Sequence, residues 1–212
     1  VADPVAEIRN YHRCVLALDE SVTRLLETLR ARGQDEDTVV VYASDNGFLF
    51  GEHGGLWDKR AAYEPSIRIP LLMRYPRRVE PGTTCDEMVL NLDLAPTLLE
   101  LAGVPAPPSV QGRSWLPWLA GEPGRDAFLY EYFRELGNVP SCLAVRTARW
   151  KYATYPDAPQ LGAELYDLHA DPGELVNLAA DPAHAGALGE LRERLVRLQA
   201  ETRFQWPATA RI

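Results

Sequence analysis

Hydrophobic positions fall into two regimes along the chain. From residue 4 to 32 they recur at three- and four-residue steps (Ile8, Tyr11, Val15, Leu18, Val22, Leu25, Leu26, Leu29), which predicts one long amphipathic helix. Asp3-Pro4 suits its start and Gly33 its stop. An acid-rich link, residues 34–37, leads to Val39-Val40-Val41-Tyr42-Ala43, an apolar run of the length expected for a buried interior parallel strand. Ile69 to Met73 re-enters the core. Asp93 reads as the N-cap of a short helix over 94–101, with Pro96 in its first turn and Gly103 at its end. Pro105-Ala106-Pro107-Pro108 is a stiff linker, and Trp115 and Trp118 read as packing residues.

From about Asp126 the pattern changes. Short alternating runs at 128–133, 142–147, 150–155 and 164–167, separated by turn signals, predict an antiparallel sheet. A last helix over 183–201 presents Leu188, Leu191, Leu195 and Leu198 on one face and is expected to cover that sheet. The chain therefore divides into an α/β part, residues 1–125, and a smaller α+β part, residues 126–212. Helix followed by strand is half of an α/β repeat, and few further parallel strands follow; the start at Val1, without Met or signal, reads as a cut edge.

Composition narrows the chemistry. At 212 residues the chain can bury a substantial core, and its net charge of -8 argues against general nucleic-acid binding. No apolar run approaches the roughly 20 residues of a membrane span. The cysteines Cys14, Cys85 and Cys142 are too scattered for a disulfide framework or a thiolate metal site. Between Lys59 and Arg78 six basic residues face one acid, Glu64, which suits a small anionic substrate or a solvated charge run.

The stretch between the two core strands carries the candidate chemistry. Ser44-Asp45-Asn46-Gly47 sits at a strand's carboxyl end, where open α/β sheets bind ligands. Asp45 and Asn46 offer hard oxygens suited to calcium or magnesium; Asp-Asn-Gly is equally favoured turn chemistry. Lys59 is one of only two lysines beside 20 arginines, and a compact ammonium can lie against a sulfate or phosphate oxygen or assist a leaving group. His53, within Gly51-Glu52-His53-Gly54-Gly55, can bond an oxyanion or act as an acid, or serve the loop structurally. Zincin, P-loop and serine-hydrolase motifs are absent from the sequence.

In order and spacing, Ser44-Asp45-Asn46-Gly47, Gly51-Glu52-His53-Gly54, Asp58-Lys59, Tyr63-Glu64 and Arg68-Ile69-Pro70-Leu71 resemble the sulfatase family of the alkaline-phosphatase-like superfamily. The resemblance continues through Asp93 to Leu99, Gln111-Gly112-Arg113-Ser114, Val145-Arg146-Thr147, Trp150-Lys151-Tyr152, Glu164 to Leu168, Asp171 to Glu174 and Asn177-Leu178. It implies a partial alkaline-phosphatase-like α/β sandwich, the C-terminal half of a catalytic domain, followed by the α+β subdomain. It further implies that Asp45 and Asn46 ligate calcium, rather than magnesium, and that Lys59 contacts the sulfate and the bridging oxygen. His53 falls in the same motif and is carried as a catalytic candidate.

Family members use a formylglycine made from a Cys/Ser-X-Pro/Ala-X-Arg signature, which none of the three cysteines here occupies. The nucleophile is thus expected upstream, and the isolated chain is expected to be inactive. The implied substrate is a small-molecule or carbohydrate sulfate ester, with loops around 48–57, 132–140 and 155–162 (Trp57, Tyr132, Arg134, Tyr155) as candidate specificity elements. Periplasmic, secreted and lysosomal locations all fit the resemblance, and no oligomeric state follows from it. The alternatives are a phosphate or phosphonate ester hydrolase of the same superfamily, or a truncated, non-catalytic relative.

Overall fold

The computed structural model describes residues 3–134 and 139–207. They fall into two compact units: one holds the residues through Lys59 together with Arg68–Thr84, the other Arg60–Ile67 together with the chain from Cys85 onward.

In the first unit α1 spans Pro4–Ala31. The Asp3 carboxylate accepts from the Val5 and Ala6 amides, each at 3.1 Å, satisfying two of the donors that a helix start leaves open. Gly33, at a φ of 62°, closes the other end in a conformation that glycine adopts without steric cost. The apolar stripe is present as expected, but none of the helix residues is buried. Strand β1, Val40–Ala43, pairs antiparallel with β2, Leu71–Arg74, with Val41 opposite Met73.

That differs from the buried parallel strand expected at 39–43. Among the described residues β1 finds its one ladder in β2, and its residues are half-buried or exposed. The basic run is also less free than its composition suggests. Arg74 donates to the Asp35 carbonyl at 2.7 Å and to its carboxylate at 3.3 Å, and Arg77 pairs with Asp37. The acid-rich link thus answers part of the positive charge.

In the second unit β3 (Ala127–Tyr132), β4 (Cys142–Thr147), β5 (Trp150–Thr154) and β6 (Glu164–Asp167) form an antiparallel meander in sequence order. The alternation expected of a two-faced sheet is obeyed. Leu143, Val145, Tyr152 and Leu165 point to one face, where Leu191, Leu195 and Leu198 of α6 (Ala185–Glu201) cover them. Each leucine so buried contributes about 1.5–3 kcal/mol. On the opposite face Cys142, Ala144 and Ala153 pack with Ala62, flanked by Tyr130, Tyr132 and Tyr155. Two of the candidate specificity residues therefore lie in a packed layer: the Tyr132 hydroxyl is buried without a hydrogen-bond partner, and burial raises the Tyr155 phenol. Residues 135–138 of the 132–140 loop lie outside the described residues.

The helix α4 occupies Leu94–Leu101 with Asp93 at its N-cap position as expected, but the Asp93 side chain makes no capping bond to the helix. Asp93 is fully buried and accepts from the Leu90 and Arg113 amides, both at 2.8 Å, and from Arg125. Its place in the Asp93-to-Leu99 motif is that of a tertiary clamp. Gly112 lies so close to Leu92 that a Cβ there would meet the Leu92 carbonyl oxygen at 2.0 Å, which accounts for a glycine in that motif. Trp115 and Trp118, flanking and within the single turn α5 (Leu116–Leu119), are buried.

Candidate functional site

Strand β1 ends at Ala43, and the chain turns at once through Ser44-Asp45-Asn46. Asp45 is exposed at this strand end. Its Oδ1 accepts from the Asn46 amide at 3.0 Å and from the Ser44 hydroxyl at 3.4 Å. The Asn46 side-chain nitrogen donates to the Gly47 carbonyl at 2.8 Å, so its amide oxygen is the atom left to face a ligand. Both turn chemistry and ligand chemistry are therefore present in one tripeptide. The turn bonds occupy one carboxylate oxygen of Asp45 and the amide nitrogen of Asn46.

Downstream, the loop doubles back on itself. The Leu49 amide donates to the Asp58 carbonyl and the Gly51 amide to the Leu56 carbonyl, both at 2.8 Å. Leu49 is fully buried beneath this closure. The first of these bonds ties the stretch just after Asn46 to the residue just before Lys59. The tip between them, labelled α2 over Glu52–Gly55, is not regular helix: Gly51, His53, Gly54 and Gly55 all have positive φ, from 51° to 104°.

Glycine takes that conformation readily, whereas His53 at φ 51°, ψ 51° bears a cost that surrounding structure must hold. Strain of this kind is concentrated at ligand-binding loops, which keeps His53 in the candidate set. Phe50 stacks edge-on against Trp57 at 5.8 Å and against Tyr11 of α1 at 4.9 Å, fastening the loop to the helix. Trp57 is half-buried in this aromatic set.

Lys59 is exposed, and its amide donates to the Asp58 carboxylate at 2.6 Å. Asp58 thus orients the peptide that carries the lysine. Among the described residues no group of three or more His, Cys, Asp or Glu converges, so the donor set of this loop is Asp45 with Asn46. Two hard oxygens from adjacent residues fit a hard cation that takes its remaining ligands elsewhere.

The other motif residues do different work. Lys151 is 1% exposed, and its Nζ donates to Glu174 at 2.5 Å, to Glu64 at 2.8 Å and to the Ala62 carbonyl at 2.8 Å. Arg146 adds a bond to Glu64 at 3.2 Å. Burial pushes the Glu64 carboxyl up, but Lys151 and Arg146 outweigh it and leave the group below its usual range. Burial raises Glu174, and Lys151 offsets only part of that rise. Tyr63-Glu64, Trp150-Lys151-Tyr152 and Asp171 to Glu174 therefore meet in one buried charge cluster within the second unit.

The fold and the ordered loop define a partial α/β region of the alkaline-phosphatase-like kind, followed by an α+β subdomain. The chain belongs to the sulfatase family: residues 51–201 match the family described as N-sulphoglucosamine sulphohydrolase, C-terminal. It is 37% identical over 202 residues to an N-acetylglucosamine-6-O-sulfatase of Bacteroides thetaiotaomicron, a match covering 92% of this chain and 36% of that protein.

A solved structure described as bound to its substrate, D-glucosamine-2-N,6-O-disulfate, superposes with a TM-score of 0.84 at 36% identity, over 91% of this chain and 40% of the other. The phosphonate monoester hydrolase of Agrobacterium radiobacter is also similar, with a TM-score of 0.73 at 28% identity over 87% of this chain and 39% of that one. The chain thus spans well under half the length of the relatives it matches. No helix among the described residues is long and apolar enough to cross a membrane.

Proposed function

We propose that this chain is the C-terminal part of a calcium-dependent sulfatase acting on a sulfated carbohydrate, and that it supplies the sulfate-receiving side of the site. The observation that carries this reading is the closure of the loop by the Leu49–Asp58 bond, which couples the Asp45-Asn46 turn to the Lys59 stretch. Asp45 and Asn46 would hold the calcium through their outward oxygens. When bound, the ion supplies positive charge that draws electron density from the sulfuryl oxygens.

Lys59 places an ammonium against the sulfate and the bridging oxygen, where charge grows as the ester bond breaks. His53, on the strained tip, gives a second polar contact able to donate a proton to the departing alcohol. The nucleophile comes from sequence outside these residues, because no cysteine here lies in a Cys/Ser-X-Pro/Ala-X-Arg pattern. A carbohydrate ester is favoured by the relative of 37% identity and by the sugar sulfate named for the 0.84 superposition.

The phosphonate hydrolase likeness supports the second reading, at lower identity. Turnover of paired sulfate and phosphonate esters by the full-length protein separates the two. Lys59→Ala should lower sulfate-ester turnover by about tenfold or more. An unchanged rate would remove Lys59 from the site. The 212-residue chain alone should show no turnover, and measurable hydrolysis by it would defeat the assignment of the nucleophile.

A further inference from the structure

Within the second unit, a cavity of about 370 Å³ lies against the first strand of the C-terminal sheet. Among the described residues β3 pairs with β4 alone, so it is an edge strand. Alternation sends Ala127, Leu129 and Glu131 to the face that α6 covers, and all three line the cavity. The end of α6 supplies Leu198, Glu201 and Thr202. The stretches leading into α4 and α5 supply Leu90, Leu92, Gln111 and Arg113. Gln111 donates to the Thr202 carbonyl at 2.8 Å, which ties two of these walls together.

The charged groups of the lining divide into two kinds. Arg125 is taken up by Asp93, and Arg194 by Asp126. The Arg113 guanidinium and the Glu131 and Glu201 carboxylates, by contrast, have no hydrogen bond or ion pair among the described residues. All three residues are exposed, so a ligand can reach them. Crowding by its neighbours raises the Glu131 carboxyl above its ordinary value, and no cation offsets the rise. Aromatic rings stand at the same end of the cavity. Two residues beyond Glu131 and two beyond Thr202, Phe133 and Phe204 stack with centroids at 6.1 Å. Trp206 meets both of them edge-on, at 5.3 and 5.6 Å. Phe204 and Trp206 pack on the core that holds Leu198, and all three rings are half-buried, so each is fixed and still open on one side.

We propose that this cavity is a saccharide-binding site for an uncharged sugar ring, built wholly within the C-terminal unit. The choice of a sugar rests on the carbohydrate reading above. A sugar ring offers one apolar C–H face, suited to the open side of the aromatic set, and a rim of hydroxyls. Those hydroxyls donate to Glu131 and Glu201 and accept from Arg113, which gives each unpaired group a partner. The cavity volume falls in the range of small-ligand sites. Charge selects among sugars: two carboxylates against one guanidinium disfavour a sulfated ring. A purely apolar ligand would strip water from the same three ions without replacing their hydrogen bonds.

The test is a calorimetric titration of the full-length protein with N-acetylglucosamine, in saturating inorganic sulfate to occupy the sulfate-receiving site. Glu131→Gln and Arg113→Ala should each weaken binding by about fivefold or more, the loss expected for one charge-assisted hydrogen bond. Phe133→Leu, which keeps an apolar side chain but removes the ring, should weaken it as well. The two polar changes fall at exposed positions, so they keep the test intact if Phe133→Leu unfolds the unit. Turnover of a simple aryl sulfate should be the same in wild type, Glu131→Gln and Arg113→Ala. N-acetylglucosamine 6-sulfate should bind this site more weakly than the unsulfated sugar.

Absence of binding to wild type, equal affinity in wild type and the two polar variants, or tighter binding of the sulfated sugar would each overturn the proposal. Binding that inorganic sulfate abolishes and the variants leave alone places the sugar elsewhere and overturns it too. If the full-length protein hydrolyses no carbohydrate sulfate, the substrate reading falls, while sugar binding lost in Glu131→Gln and Arg113→Ala still upholds the cavity.

Discussion

Arg125 grips Asp93 with both terminal nitrogens, at 2.5 and 2.8 Å, in a site where the carboxylate is fully buried and the guanidinium nearly so. The same carboxylate takes the Leu90 and Arg113 amides, so one side chain joins the approach to α4, the Gln111-Gly112-Arg113 stretch and the chain entering β3. Removing it strands a buried cation and two backbone donors at once. Asp93→Ala is therefore expected to destabilise the C-terminal unit by about 3–5 kcal/mol, the range for breaking a buried pair from one side. Denaturant unfolding checks this, and a loss below about 1 kcal/mol, typical of an exposed pair, would contradict it.

Gly51 holds φ at 104°, and a Cβ there would meet Trp57 Nε1 at 3.3 Å. Gly54, at φ 82°, has nothing within 4 Å of such a Cβ. Alanine at either position carries the left-handed backbone penalty of about 1–2 kcal/mol, and only at Gly51 does it also crowd the indole that packs on Phe50. Gly51→Ala should lower the unfolding midpoint more than Gly54→Ala. Equal shifts in matched melts would show that the indole moves aside without cost.

These contrasts show where sequence pattern suffices. The strands between 127 and 167 and the covering helix were legible because period-2 and period-3.6 apolar positions directly express which face is buried. The Ser44-to-Lys59 loop was legible as an ordered string of residue types. What pattern leaves out is pairing at a distance. Asp93 looks like a helix cap because its local context is that of a cap, yet its partner Arg125 lies 32 residues away.

Likewise the run from Lys59 to Arg78 looks like free positive charge until Arg74 and Arg77 find Asp35 and Asp37 beside the paired strands β1 and β2. Lys151 carries the same lesson in reverse. As one of two lysines it stood out in composition, and its role as the buried centre of a charge cluster depends on Glu64 and Glu174, 87 and 23 residues away in sequence. The antiparallel pairing of β1 was missed because an apolar run of five is compatible with either ladder direction.

Asp167 gives a prediction about acid. Two bonds from Arg149, at 2.6 and 3.0 Å, with help from the His169 and Ala170 amides, hold its carboxyl at about 2 against the usual 3.8. A depressed carboxylate stabilises the fold fully above its unfolded value, and that contribution disappears as pH falls from about 4 towards 2. Arg149 is half-exposed, so salt should screen part of it. Arg149→Ala should move the acid-unfolding midpoint to higher pH, with little change in stability slope above pH 5. Superimposable acid titrations of the two proteins would refute the role given to Arg149.

Metal dependence tests the Asp45-Asn46 turn directly. Asp45 already donates nothing and accepts two local bonds on Oδ1, so the turn survives with Asp45→Asn, which keeps an oxygen there but removes the charge. Asp45→Ala removes both. If the turn holds calcium, the affinity of the full-length protein for calcium should fall in the order wild type, Asp45→Asn, Asp45→Ala, with a loss of about tenfold or more at the last step.

Calorimetric titration reads this without reference to turnover, and thermal stabilisation by added calcium should shrink in the same order, because an ion that binds only the folded state raises its stability by mass action. Magnesium should substitute poorly, since it demands a tight octahedral shell that two outward oxygens on an exposed turn do not impose. Identical calcium isotherms for wild type and Asp45→Ala would return the Asp-Asn-Gly sequence to the plain turn that its local hydrogen bonds also satisfy.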